Sequence, residues 1–158
     1  MHVVSQCNKE IVDLLNKVKP PYNVNGESVI INHSVTVQND ITIQGGGNLW
    51  VEDATFAIQN AKLTLNDGSV TFINAAVDIT YNFDVLDPAG QVTVEGGSLN
   101  ISQSFLNHGD GFFKNVYLTL ENDYRNDGGA DIFENTCVKI TNGDFKNAFR
   151  KLFAFSSK

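Results

Sequence analysis

An eight-residue phrase returns six times along this chain at nearly constant spacing, and no other property constrains the fold as much. The copies are IINHSVTV from Ile30, VEDATFAI from Val51, FINAAVDI from Phe72, VEGGSLNI from Val94, FKNVYLTL from Phe113 and FENTCVKI from Phe133. Their starts lie 21, 21, 22, 19 and 20 residues apart. The first, sixth and eighth residues of the phrase are apolar in all eighteen cases, in a chain that is 42% hydrophobic. A period near 20 residues is the mark of a stacked repeat, in which each unit buries its apolar residues only against its neighbours.

The spacing inside the phrase describes the path of the backbone. The sixth and eighth residues alternate with polar neighbours, as a strand with one buried face requires. The first residue also points inward, but from a separate strand reached through a sharp corner. Asn32, Asp53, Asn74, Gly96, Asn115 and Asn135 occupy the third position, where the corner lies. These residue types tolerate left-handed backbone angles or bond to their own backbone. The glycine pair in VEGGSLNI therefore reads as a bend between two strands.

A second apolar-polar segment follows each phrase and ends in a turn. Ile41 and Ile43 precede QGGGN, Leu63 and Leu65 precede NDGS, and Phe83 and Val85 precede LDPAGQ. The later versions keep one apolar residue each: Phe105 before LNHGDG, Tyr124 before RNDGGAD and Phe145 before KNAF. Each repeat thus holds three short strands, and a circuit takes about 20 residues. A sandwich or barrel would show short strands and regular turns too, but not one corner residue at one offset six times. Residues 30–149 read as an all-β parallel β-solenoid of about six coils. In repeat length and in its asparagine-type corner, it resembles the right-handed parallel β-helix of pectate lyases and related surface proteins. The resemblance is one of architecture and carries no catalytic motif with it.

A solenoid leaves open edges and open core at both ends, so each end needs a cover. Ile11, Leu14, Leu15 and Val18 fall at i, i+3, i+4 and i+7, which predicts a short N-terminal capping helix within a segment 1–29. Residues 150–158 form an aromatic and basic tail. Phe149 just before it, and Leu152, Phe153 and Phe155 within it, are expected to cap the last coil or to contact another copy.

Bulk properties narrow the function classes. A net charge of −7 argues against nucleic-acid binding, which needs a basic face. No apolar run approaches a membrane span, and membrane association is not expected. The N-terminus lacks the basic start and apolar core of a secretory signal. If Met1 is the native start, an intracellular or virion-associated location follows. Cys7 and Cys137 are the two cysteines, in no metal-binding spacing, and are expected as free thiols.

Candidate chemistry is sparse. The outward position between the two buried strand residues reads Thr36, Ala57, Asp78, Asn100, Thr119 and Lys139, with a single carboxylate. Glu52 and Glu95 share another outward position two coils apart, about 9–10 Å, near the separation of an inverting glycosidase pair. The turn acids Asp67, Asp87, Asp110 and Asp127 suit turn geometry better than calcium, and NDGGAD lacks the full calcium-binding nonapeptide. His2, His33 and His108 show no metal spacing. Threonine never fills one face over more than two consecutive coils, which disfavours ice binding. Trp50, Phe112, Tyr81 and Tyr117 are the candidate binding residues, since sugar rings stack on exposed aromatics. Trp50 has an alternative place, tucked under the glycine loop 45–47.

The expected function is accordingly that of a non-catalytic structural or binding module without a cofactor. Its partners would be copies of itself, in a surface appendage, virion fibre or other assembly, or an extended polysaccharide. The alternative is a carbohydrate-active lyase or glycosidase using Asp78, Glu52 and Glu95.

Overall fold

The computed structural model describes residues 22–147. Fifteen strands follow one another without an intervening helix among these residues. They are β1 (Tyr22–Asn25), β2 (Ser28–Ile31), β3 (Val35–Val37), β4 (Ile41–Glu52), β5 (Thr55–Ile58) and β6 (Leu63–Ile79). After these come β7 (Phe83–Val85), β8 (Gln91–Ile101), β9 (Phe105–Asn107), β10 (Asp110–Lys114) and β11 (Tyr117–Leu120). The last four are β12 (Tyr124–Asn126), β13 (Asp131–Glu134), β14 (Cys137–Ile140) and β15 (Phe145–Asn147).

Every pairing is parallel and joins a strand to its counterpart one circuit away, so the chain is a β-solenoid of about six turns. Each turn contributes to three ladders. The first contains β1, the starts of β4 and β6, then β7, β9, β12 and β15. The second contains β2, the end of β4, the middle of β6, the start of β8, then β10 and β13. The third contains β3, β5, the ends of β6 and β8, then β11 and β14. Long strands such as β6 turn corners at Asp67 and Asn74, which have no ladder partner, and pairing resumes on the other side.

The eighth phrase residues stack in a single column: Val37 on Ile58, then Ile79, Ile101, Leu120 and Ile140. All but Ile140 are buried, and Ile140 packs against the same core. Burial of apolar columns such as this one stabilises the fold, because each inner side chain is sandwiched between two others.

Five of the six predicted corners hold the left-handed conformation: Asp53 at φ 50°, Asn74 at 49°, Gly96 at 71°, Asn115 at 54° and Asn135 at 49°. The glycine pair has a steric cause. Gly97 also has a positive φ, of 76°, and a Cβ there would overlap the Ala75 carbonyl oxygen in the coil beneath. The first copy departs from the pattern. Ile31, not Ile30, pairs with Val51 and is buried, whereas Ile30 pairs with Trp50 and is exposed. This corner spans one residue fewer between Ile31 and Val35 than between Val51 and Phe56, so Asn32 has no need of the left-handed turn.

Parallel pairing begins at Tyr22, upstream of the Ile30 boundary that the phrase marks, because β1 and β2 already lie on β4. The predicted capping helix and the tail residues Phe149, Leu152, Phe153 and Phe155 lie outside the described residues. At another corner, side chains cap the next coil's backbone: Asp40 accepts from Lys62 N–H at 2.9 Å and Asp123 from Asp144 N–H at 2.8 Å. Thus the corners, like the ladders, are bonded from coil to coil.

Candidate functional site

The outward residues of the second ladder form one continuous column: Ile30, Trp50, Thr71, Thr93, Phe112 and Ile132. Their direction follows from the pleat, since Val29 and Ile31, Leu49 and Val51, and each later pair of neighbours point into the core. Ile30 is 47% and Ile132 37% exposed, and the four residues between them are half-buried. Six coils at about 4.8 Å make the column about 24 Å long. Solvated sheet faces usually carry polar residues, so an apolar and aromatic column is unusual.

Two flanking columns complete this face. On one side stand Ser28, Asn48, Ser69, Gln91 and Asp110; Ser69 Oγ donates to Asn48 Oδ1 at 3.0 Å. On the other stand Glu52, Ile73, Glu95, Lys114 and Glu134. Lys114 lies 3.7 Å from Glu134, and Trp50 Nε1 donates to Glu52 Oε2 at 3.2 Å. That bond settles the place of the indole: it lies outward along its own strand rather than beneath residues 45–47.

The structure brings together only two of the four candidate aromatics. Trp50 and Phe112 share the column, three coils or about 14 Å apart. Tyr117 is 68% exposed on the third ladder, between Ser98 and Cys137, and Tyr81 is 51% exposed in the turn after β6. The candidate carboxylates are likewise divided. Glu52 and Glu95 lie on the second ladder with Ile73 between them, while Asp78 lies on the third between Ala57 and Asn100. A shallow recess of about 260 Å³ on the third ladder is lined by Asn100, Ser102, Thr119, Glu121 and Thr141, with Ile101 and Leu120.

Asp87 and Asp127 act within their own turns, whereas Asp110 bonds to the next coil. Asp87 accepts from Ala89 N–H at 2.8 Å, Asp110 from Ala130 N–H at 2.9 Å, and Asp127 pairs with Arg125 at 2.6 Å. No group of three or more metal-ligating side chains occurs among the described residues. Cys137 is an exposed free thiol.

One buried acid stands apart from the candidates read from the sequence. Asp131 begins β13, stacks on Gly111 and is 1% exposed. Its Oδ1 accepts from Asn107 Nδ2 at 2.7 Å; its Oδ2 accepts from Asn126 Nδ2 at 2.6 Å and from the Tyr124 hydroxyl. Burial pushes the Asp131 carboxyl above the usual range, and its three donors only partly offset this. Burial, together with the neighbouring carboxylate, pushes the Tyr124 hydroxyl well above 10.0, so it stays a donor. Asp84, half-buried on the first ladder, is raised by desolvation against the pull of Lys62. The missed signal was Asn107 and Asn126 at one offset after Phe105 and Tyr124, an inward position rather than a turn.

No protein-family model matches this chain, and no curated protein or solved structure matches it at a significant level.

Proposed function

We propose that this chain is a non-catalytic β-solenoid that serves as a rigid structural module and works by associating with copies of itself, as in a fibre, appendage or comparable assembly. The observation that carries this reading is the outward-facing, partly exposed Ile30–Trp50–Thr71–Thr93–Phe112–Ile132 column, in register over six coils of parallel ladder. A flat face of this kind suits contact along its whole length and has no cleft to enclose a small substrate. The carbohydrate-active alternative needs Asp78 to act with Glu52 and Glu95, and their division between two ladders speaks against it.

Sedimentation velocity from about 1 µM to about 500 µM tests the reading. A mass that rises with concentration is expected. A monomer throughout, or turnover on a polysaccharide panel that is lost in Asp78→Ala, overturns it.

A further inference from the structure

The second-ladder column reads almost the same in both directions: Ile, Trp, Thr, Thr, Phe, Ile. A two-fold axis that reverses coil order demands such a match, because each residue must then suit the one at the mirrored level of the partner. We infer that two copies pack second ladder to second ladder about a two-fold axis parallel to the strands, which runs between the Thr71 and Thr93 levels and sets the two solenoids antiparallel. This inference deepens the self-association reading and rests on it.

The proposed axis sets Trp50 against Phe112 of the second copy, Ile30 against its Ile132, and Thr71 against its Thr93. Large apolar groups then meet near both ends, and hydroxyls meet in the middle. The flanking columns sharpen the match. The axis leaves each flank facing its own kind, with coil order reversed, so Glu52 faces Lys114 of the second copy, and the pair occurs twice. Asn48 faces Asp110 in the same way.

A coil-for-coil arrangement is the other two-fold solution. It would lay Glu52 and Glu95 on Asn48 and Gln91, Glu134 on Ala130 and Lys114 on Asp110, so it too sets the lysine against a carboxylate, twice over. Glu134 keeps its own Lys114 in either arrangement, and each leaves two carboxylates per copy without a cation opposite: Glu95 and Asp110 when the copies are antiparallel, Glu52 and Glu95 when they lie coil for coil. Burying carboxylates without partners costs both arrangements alike, and the palindrome of the central column, which only a reversal of coil order requires, favours the antiparallel solution.

The face is about 24 Å long and about 16 Å across its five strand positions, or roughly 400 Å² per copy before side-chain relief. This is at the small end for specific interfaces, and the dimer is therefore weak and reversible, with a dissociation constant of order micromolar or above.

The test is charge exchange at Glu52 and Lys114, read by sedimentation velocity of the full chain, with circular dichroism confirming the fold. Both side chains are surface groups, so the variants keep the solenoid. Glu52→Lys and Lys114→Glu should each weaken the dimer about tenfold, and the double variant should return to within about threefold of the native protein. If the double exchange stays as weak as Lys114→Glu, the antiparallel pairing is wrong. A wild-type dimer that ignores all three variants removes this face but leaves self-association standing. A wild-type monomer at every concentration overturns both, including the case in which that monomer is retarded by an extended polysaccharide.

Discussion

Coils one to four and the coils that follow are built on the same circuit but filled differently. The second inward position of the first ladder holds Val24, Ile43, Leu65 and Val85, and then changes to Asn107 and Asn126. The first inward position of the second ladder changes at the same level, from Val29, Leu49, Val70 and Val92 to Gly111 and Asp131. The neighbouring columns become aromatic. Phe83 stacks on Phe105 at 4.7 Å, Phe113 on Phe133 at 4.9 Å and Tyr124 on Phe145 at 4.6 Å. Rings and a polar cluster thus replace interlocked aliphatic side chains.

The difference teaches how a solenoid can specify its register. Aliphatic columns are interchangeable from coil to coil, so a slip by one whole repeat would cost them little. Asp131 accepts from donors on β9 and β12, and Asn126 and Asn107 also hold their own turns through Gly128 and Gly109 N–H at 3.1 and 3.0 Å. Only one alignment satisfies that set. Gly111 belongs to it, since a Cβ there would meet the Asp131 carboxylate and lie 2.7 Å from the Phe113 ring.

The sharpest way to break the comparison is to transplant the polar residue into the aliphatic half. Leu65→Asn should destabilise by about 4 kcal/mol or more in urea unfolding, because it removes a fully buried Leu and strands an amide. A loss under about 1 kcal/mol would erase the distinction between the halves. Asp131→Ala should cost about 3 kcal/mol, since it leaves three buried donors without an acceptor. Gly111→Ala should cost about 2 kcal/mol by overpacking. Combined with Asp131→Ala it should cost clearly less than the sum, and full additivity would show that the two do not share space. Tyr124→Phe removes one hydroxyl of the set and should cost about 1 kcal/mol.

The smallest effect is a slope with pH. The folded-state value of Asp131 lies above its ordinary 3.8, so the folded protein holds this proton more tightly than the unfolded chain. The associated stability is complete below about 3.8 and is lost as pH rises through the raised value. The penalty of Asp131→Asn should therefore shrink as pH rises through that window, and urea midpoints of both proteins at several pH values would show it. A penalty that grows with pH would contradict the sign.

The aliphatic half was largely legible in sequence because its signal is a pure alternation. Val77, Ile79, Leu99 and Ile101 could only face one way. Corner residues were legible too, since Asp53, Asn74 and Gly96 are the types that accept a positive φ. The slip at Ile30 arose where Ile30 and Ile31 are both apolar, so the pattern alone could not choose between them. Asn107, Asn126 and Asp131 were hidden for the opposite reason: polar residues beside glycines read as turns, and only three-dimensional pairing reveals that they point inward. Of the candidate site, Trp50 and Phe112 were legible as outward residues, whereas the column joining them to Ile30 and Ile132 needed the register.

Methyl-to-methyl nuclear Overhauser effects in a protein labelled at isoleucine and leucine methyls test the stacking of coils most directly. Strong cross-peaks are expected from Ile58 to Ile79, from Ile79 to Ile101 and from Ile101 to Leu120, in that order and without skips. Cross-peaks that join Ile58 to Ile101 while missing Ile79, or none along this series, would contradict the register on which the column and the polar cluster both depend.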